Sequence, residues 1–179
     1  TKIHSLLDPN SSEYRGNTKT DEIARSSFYF NSSGKPNYLS GYFTRSNGFP
    51  LVSYSENLLT LAESGLRSKN FYTGLSHLNE FRGYMAGGGY LNNGYDTLSL
   101  KYNPYLQTDF EIGGIENKDS KTKEEALLYE ILEERYITFY GQIEGFNDVR
   151  RTRKENNGVI LIPNTGSFLP ERFLYPQSE

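Results

Sequence analysis

Three glutamates, Glu130, Glu133 and Glu134, crowd one short stretch of the chain. Paired carboxylates can cleave glycosides, but only when they face each other across the sugar at a set gap. Acids grouped on one helix form a solvated face far more often, and that is the expectation here. The two histidines, His4 and His77, lie far apart with no HxxxH or HExxH spacing, so no metal site is expected. There is no cysteine, which excludes thiolate nucleophiles, disulfides and iron–sulfur ligation. No Gly-x-Ser-x-Gly elbow is present. Gly87-Gly88-Gly89 lacks the Gly-Lys-Ser/Thr of a phosphate cradle and reads as a helix stop. The run Arg150-Arg151-Thr152-Arg153-Lys154 suits a helix C-terminus, where it can pair with acids such as Asp148. No cofactor is called for.

The aromatic residues are the stronger signal. The chain has 15 Tyr and 11 Phe but no Trp. Tyr joins an apolar ring to a polar tip, which suits recognition surfaces. One Gly-flexible stretch carries Tyr90, Asn92, Asn93, Tyr95, Asp96 and Tyr102; another carries Asn37, Tyr38, Tyr42, Phe43, Arg45 and Asn47. Flat rings stack on the C–H faces of sugars, while amides and carboxylates bond hydroxyls. The competing role for each ring is to pin a long loop to its scaffold. A net charge of −3 argues against phosphate-driven nucleic-acid binding. The longest apolar runs, such as Val159–Ile162, are far too short to span a bilayer as a helix.

The scaffold that must hold these loops reads as mainly helical. Capping boxes at Ser53-x-x-Glu56 and Thr122-x-x-Glu125 open two apolar-periodic runs. Helices are predicted over 54–68, 71–85 and 122–140, with a shorter one over 145–152. The first two should form an antiparallel hairpin with Leu58, Leu61, Ala62, Leu75 and Leu78 between them. Ala62 and Gly74 stand where a tetratricopeptide-like hairpin brings its helices closest. Gly141 should end or bend the long helix. Ser26–Phe30 suggests a short strand, and the segment from Pro163 onward should be extended or turned. Arg135 should lie on the inner side of its helix, clamped by Glu144 and Asp148, because a buried guanidinium needs a partner.

Several of these residues also resemble a known family. Tyr54-x-Glu56, Ala62-Glu63 and Arg67 resemble a conserved helix of the SusD/RagB proteins. Glu134-Arg135, followed by Gly141 and Glu144-Gly145-Phe146-Asn147-Asp148-Val149-Arg150-Arg151, resembles that family's ER…EG…D-L-R-R signature. Asp8-Pro9 with Tyr14-Arg15-Gly16, and Leu169–Glu179, resemble one SusD-like branch, so the likeness runs from about residue 8 to 179. It implies a mainly α fold of tetratricopeptide-like hairpins with long irregular loops. It also implies a non-catalytic outer-membrane lipoprotein on the cell surface of Bacteroidetes. Such a protein binds a nutrient, usually an oligosaccharide and sometimes a peptide, and lids a SusC-type TonB-dependent transporter. Residues 1–179 would be the C-terminal portion of that domain, beginning at Thr1 as a processed or excised segment with its lipid anchor upstream. The departures are the missing Trp and Phe146-Asn147 where a basic residue is usual. The alternatives are a helical-repeat adaptor for a protein or peptide, and, lowest, a fragment of a glycoside hydrolase.

Overall fold

The structure, a computed structural model, describes residues 1–68, 70–92 and 94–162. Six α-helices follow in chain order: α1 (Lys2–Leu7), α2 (Ile23–Tyr29), α3 (Tyr54–Arg67), α4 (Phe71–Ala86), α5 (Lys123–Thr138) and α6 (Ile143–Thr152). A 3-10 turn spans Gln107–Asp109. Among the described residues there are no strands, only isolated bridges such as Phe30 with Pro36. The architecture is therefore mainly α, as the periodicity predicts. The expectation for residues from Pro163 onward lies outside the described residues.

Local chemistry explains where the main helices begin. Ser53 Oγ accepts from the Glu56 amide at 3.0 Å, and Asn70 Oδ1 from the Thr73 amide at 3.1 Å. Thr122 and Glu125 form a reciprocal box, the amide of each bonded to the side chain of the other. Each bond satisfies a donor that the helix itself leaves orphaned. Gly141, just past α5, has φ +78°, a left-handed conformation that favours glycine, and it turns the chain into α6.

Helices α3 and α4 run antiparallel: Tyr54 stacks edge-on against Tyr84 at one end, and Leu66 meets Gly74 at the other. Leu58, Ala62, Leu75 and Leu78 are buried as expected. Leu61 is not; it is 38 % exposed. At about 100° per residue, the stripe of Leu58, Leu59, Ala62 and Leu66 leaves Leu61 on the flank. Helix α5 packs on both members of the hairpin and α6 packs on α5.

Two further expectations are corrected. Residues 26–30 are not a strand; α2 buries Ala24, Arg25, Phe28 and Tyr29 on one face, a helical spacing masked by Ser26-Ser27. Nor do Glu130, Glu133 and Glu134 form a solvated face. Helix α5 is covered nearly all round, and these acids meet arginines from the first 25 residues. The Arg15 guanidinium donates to Glu22 at 2.6 Å, Glu130 at 2.6 Å, Glu133 at 3.0 Å and Glu134 at 2.8 Å. Arg25 bonds Glu22 and Glu134. Four carboxylates thus share two guanidiniums in a site largely withdrawn from water, with Arg15 and Glu133 at its one described edge. Burial above all lifts Glu130 to about 8, against the pull of Arg15. Burial also works against ionised Glu134, but Arg25 and Arg15 outweigh it and hold the carboxyl down at about 2.

Two tests follow from this packing. A Cβ at Gly74 would lie 2.7 Å from Leu66 Cβ and 3.1 Å from the Ala62 carbonyl oxygen, whereas one at Gly83 meets nothing within 4 Å. Gly74→Ala should cost roughly 1–3 kcal/mol in denaturant unfolding, while Gly83→Ala, in the same helix, should gain about 0.5–1 kcal/mol. Glu130 keeps its proton in the folded chain where the unfolded chain, with its ordinary value of 4.5, has lost it. Its contribution therefore declines as pH rises from 4.5 towards about 8. Urea unfolding across that range should show the decline, and Glu130→Gln, which mimics the protonated acid, should flatten it.

Candidate binding cleft

Loop residues 37–53 and 88–98 fold over the junction of α2 with the end of α5, and their rings make one aromatic nest. Phe28 from α2 contacts Tyr42, Tyr90 and Tyr95 at centroid separations of 5.9, 6.2 and 5.5 Å. Tyr42 also meets Tyr29 at 5.6 Å and Phe43 at 5.1 Å. Most of these contacts are edge-to-face, the arrangement aromatic quadrupoles prefer.

A cleft of about 190 Å³ opens beside the nest, lined by Phe28, Tyr42, Asn47, Pro50, Ser55, Tyr90, Asn92 and Gln142 among others. It brings together three predicted residues, Tyr42, Tyr90 and Asn92, from two separate loops. Asn47 fixes its loop by donating to the Tyr42 carbonyl at 2.7 Å. Ser55 is buried at the cleft wall, where the Tyr84 phenol lies near its hydroxyl. The Tyr42 phenol is raised above its ordinary value, chiefly by burial, and stays neutral.

The other predicted residues are distributed elsewhere. Tyr95 lines a wider groove of about 670 Å³ with His4, Asp8, Asn10, Asn31 and Asn37. Its hydroxyl is bonded by Asn37 Nδ2 at 2.7 Å and shares a 2.8 Å contact with Ser40 Oγ. Asn92 donates to the Ser40 carbonyl at 3.3 Å, so Ser40 joins groove and cleft. Asp96 accepts from the Gly94 amide and shapes the turn. Tyr38 is 67 % exposed, touches Phe43 and lines neither the cleft nor the groove among the described residues. Asn93 lies outside the described residues. Tyr102 corrects an expectation: it is 2 % exposed, bonds Glu22 at 3.2 Å, and carries the Arg25 guanidinium over its ring. No ring face is left for a ligand, so Tyr102 belongs to the buried charge cluster. Phe28, Ser55 and Gln142 escaped the sequence reading, since nothing marks a helix or turn residue as cleft-lining before the loops are folded.

The Arg135 clamp forms with a different membership. Arg135 is buried and grips Asp148 with two bonds, Nε to Oδ2 at 2.7 Å and Nη2 to Oδ1 at 3.1 Å. Thr60 accepts a third at 3.1 Å, and Glu63 stands 3.6 Å away. Arg151 completes the knot by bonding Asp148 at 2.8 Å and both oxygens of Glu63 at 2.6 and 2.5 Å. Glu144 is not a partner of Arg135. It sits in the first turn of α6, one turn before Asp148, and its buried Oε2 has no partner among the described residues. The missed member is Glu63. Burial opposes its ionisation, but Arg151 and Arg67 prevail and lower its carboxyl.

Glu130, Glu133 and Glu134 offer no acid pair set across an open cleft. Of the three, Glu133 lines a surface pocket, and its oxygens are engaged by Arg15 and Tyr129. Among the described residues no group of three or more His, Asp or Glu could hold a metal ion, and no helix is long and apolar enough to cross a membrane. Comparison with protein-family models, with curated proteins and with solved structures finds no match to this chain. Because Asp148 answers two guanidiniums at once, Asp148→Asn should lower unfolding stability by roughly 3–5 kcal/mol. Glu144→Gln, which breaks no ion pair, should shift it by less than about 1 kcal/mol.

Proposed function

We propose that this chain is the C-terminal portion of a SusD-like nutrient-binding domain, built on tetratricopeptide-like hairpins. It acts without bond chemistry, on the outer face of the outer membrane, through an anchor upstream of Thr1. It holds an oligosaccharide for delivery to a SusC-type TonB-dependent transporter. The observation that carries the ligand reading is the cleft. Tyr and Phe rings, amide side chains and the buried Ser55 hydroxyl converge there, with no charged side chain on its wall among the described residues. That mixture suits a neutral polyhydroxylated ring, whose C–H face needs apolar area and whose hydroxyls need both donors and acceptors. The close approach of α4 to α3 at Gly74 supports the hairpin type. The resemblance gains support from space: Glu63, Arg67, Arg135, Asp148 and Arg151, all residues of its motifs, form one connected ion-pair network.

A second reading, a helical-repeat adaptor for peptides, is favoured by one feature. Leu39, Phe49, Leu51, Val52 and Tyr54 are all exposed, and the last four are interleaved in sequence with residues that line the cleft. The two readings separate on a glycan array followed by titration calorimetry with the best neutral oligosaccharide. Asn92→Ala and Gln142→Ala, which remove polar groups from the cleft wall, should each weaken binding about 3- to 10-fold, the worth of one hydrogen bond. Their melting temperatures should stay near that of the parent chain. Absence of glycan binding, or binding indifferent to both substitutions, overturns the oligosaccharide reading; capture of extended apolar peptides in its place supports the adaptor.

A further inference from the structure

The chain contains the pairs Asn47-Gly48, Asn93-Gly94 and Asn157-Gly158. Such a pair can react with itself. The glycine amide nitrogen, once it has lost its proton, attacks the asparagine side-chain carbon, and glycine is the neighbour that hinders this least. The attack needs a nitrogen that is free and a backbone able to carry it to the carbon. At two of the pairs the nitrogen is engaged. The Gly94 amide donates to Asp96 Oδ1 at 3.1 Å. The Gly158 amide donates to the Glu155 carbonyl at 3.3 Å, and Gly158 is buried, a Cβ there lying 2.8 Å from the Thr152 carbonyl oxygen. Gly48 differs on each count. It is exposed, its amide has no acceptor among the described residues, and a Cβ there would meet nothing within 4 Å. Asn47 is exposed as well, and its Nδ2 donates to the Tyr42 carbonyl at 2.7 Å. That bond must open before the attack, in a segment with no helix or strand to hold it shut.

We propose that Asn47-Gly48 is a self-modification site, which turns the cleft wall from neutral to anionic. The Gly48 nitrogen bonds to Asn47 Cγ and the Cγ–Nδ2 bond breaks. Nδ2 leaves as ammonia, carrying the proton that Gly48 gave up, and a five-membered succinimide remains. Water, the one co-reactant, adds to either ring carbonyl and opens the ring to aspartate or isoaspartate at position 47. Both Asn47 and Gly48 line the cleft, whose wall carries no charged side chain among the described residues. The product places a carboxylate there and, having no N–H, loses the bond to the Tyr42 carbonyl. The chemistry needs no ligand; only its consequence for sugar binding rests on the oligosaccharide reading.

The full chain is aged at mildly alkaline pH and mapped by peptide mass spectrometry, with isoaspartate scored by enzymatic methylation. Position 47 should change from amide to acid roughly tenfold faster than position 157, whose glycine must first leave its packed turn. Isoaspartate should appear with the acid. In the urea-unfolded chain the two positions should react alike, because structure alone separates them. Gly48→Ala adds a methyl in open space, so it should keep the melting temperature while slowing position 47 by about an order of magnitude. Asn47→Asp should weaken the neutral oligosaccharide that the parent chain binds. Modification at position 47 in a chain that binds no sugar, fresh or aged, supports this site and overturns the oligosaccharide reading alone. Equal rates at 47 and 157 in the folded chain, acid formed without isoaspartate, an unslowed Gly48→Ala variant, or sugar bound equally by the parent and Asn47→Asp would each overturn the proposal.

Discussion

One guanidinium sets the plan of this fold. Arg15 donates to Glu22, Glu130, Glu133 and Glu134 at once, and three of those acids lie more than a hundred positions along the chain. Removing charged groups from water costs several kcal/mol each, and only close, fully bonded geometry returns it. Arg25 supplies the second positive centre, Tyr102 and Tyr105 supply hydroxyl donors, and the Arg82 guanidinium lies 3.6 Å over the Tyr105 ring. The acids still outnumber the arginines bonded to them. The raised carboxyl of Glu130 is the consequence: the cluster balances by keeping a proton. Without Arg15, α5 would have to turn its glutamates to water, and the N-terminal segment would lose its seat on the helix.

A second charge knot begins one residue after the first. Glu134 faces Arg15 and Arg25, while Arg135 faces Asp148, Thr60 and Glu63. Adjacent helical residues point about 100° apart, so this pair bonds α5 to the N-terminal segment on one side and to α3 and α6 on the other. The rotation of α5 is thereby fixed. Its last turn then has one orientation, which puts Thr138 and the following Gln142 on the cleft wall. The same two knots that hold the scaffold also fix the floor on which the loops sit.

How much of this was legible in the sequence depended on the range of the interactions. Helices α3, α4 and α5 announce themselves because caps and apolar periods act within a few residues. Leu61 was misplaced because one apolar residue too many fitted the stripe. Helix α2 was hidden because its buried face includes Arg25, a residue whose burial makes sense only beside Glu22 and Glu134. The glutamates of α5 read as a solvated face for the same reason, since their partner Arg15 lies 115 positions from Glu130. Asp148 could be foreseen opposite Arg135 because the two are near in sequence and joined by a turn at Gly141. Glu63 could not, although its motif was visible, because nothing local says that α3 returns to α5. The cleft was half legible: its loops were, but the helix and turn residues completing its wall were not.

The division of the tyrosines carries a last physical point. Segments 37–53 and 88–98 have no helix or strand of their own among the described residues, so their order must come from side chains. Tyr42, Tyr90 and Tyr95 meet this need through ring contacts with Phe28, edge-on for Tyr42 and Tyr95 and tilted for Tyr90, and burial raises the phenols of Tyr42 and Tyr90. A ring that holds its own loop has little face left for a ligand. On the proposed reading, stacking would be confined to the parts of Tyr42 and Tyr90 that line the cleft, and orientation would fall to Asn47, Asn92, Gln142 and the Ser55 hydroxyl. Affinity for the proposed oligosaccharide, built this way, would be modest, because each hydroxyl bond to a sugar replaces one to water. Selectivity can still be high, because a ligand that leaves one of these buried polar groups unpaired pays for its desolvation without return.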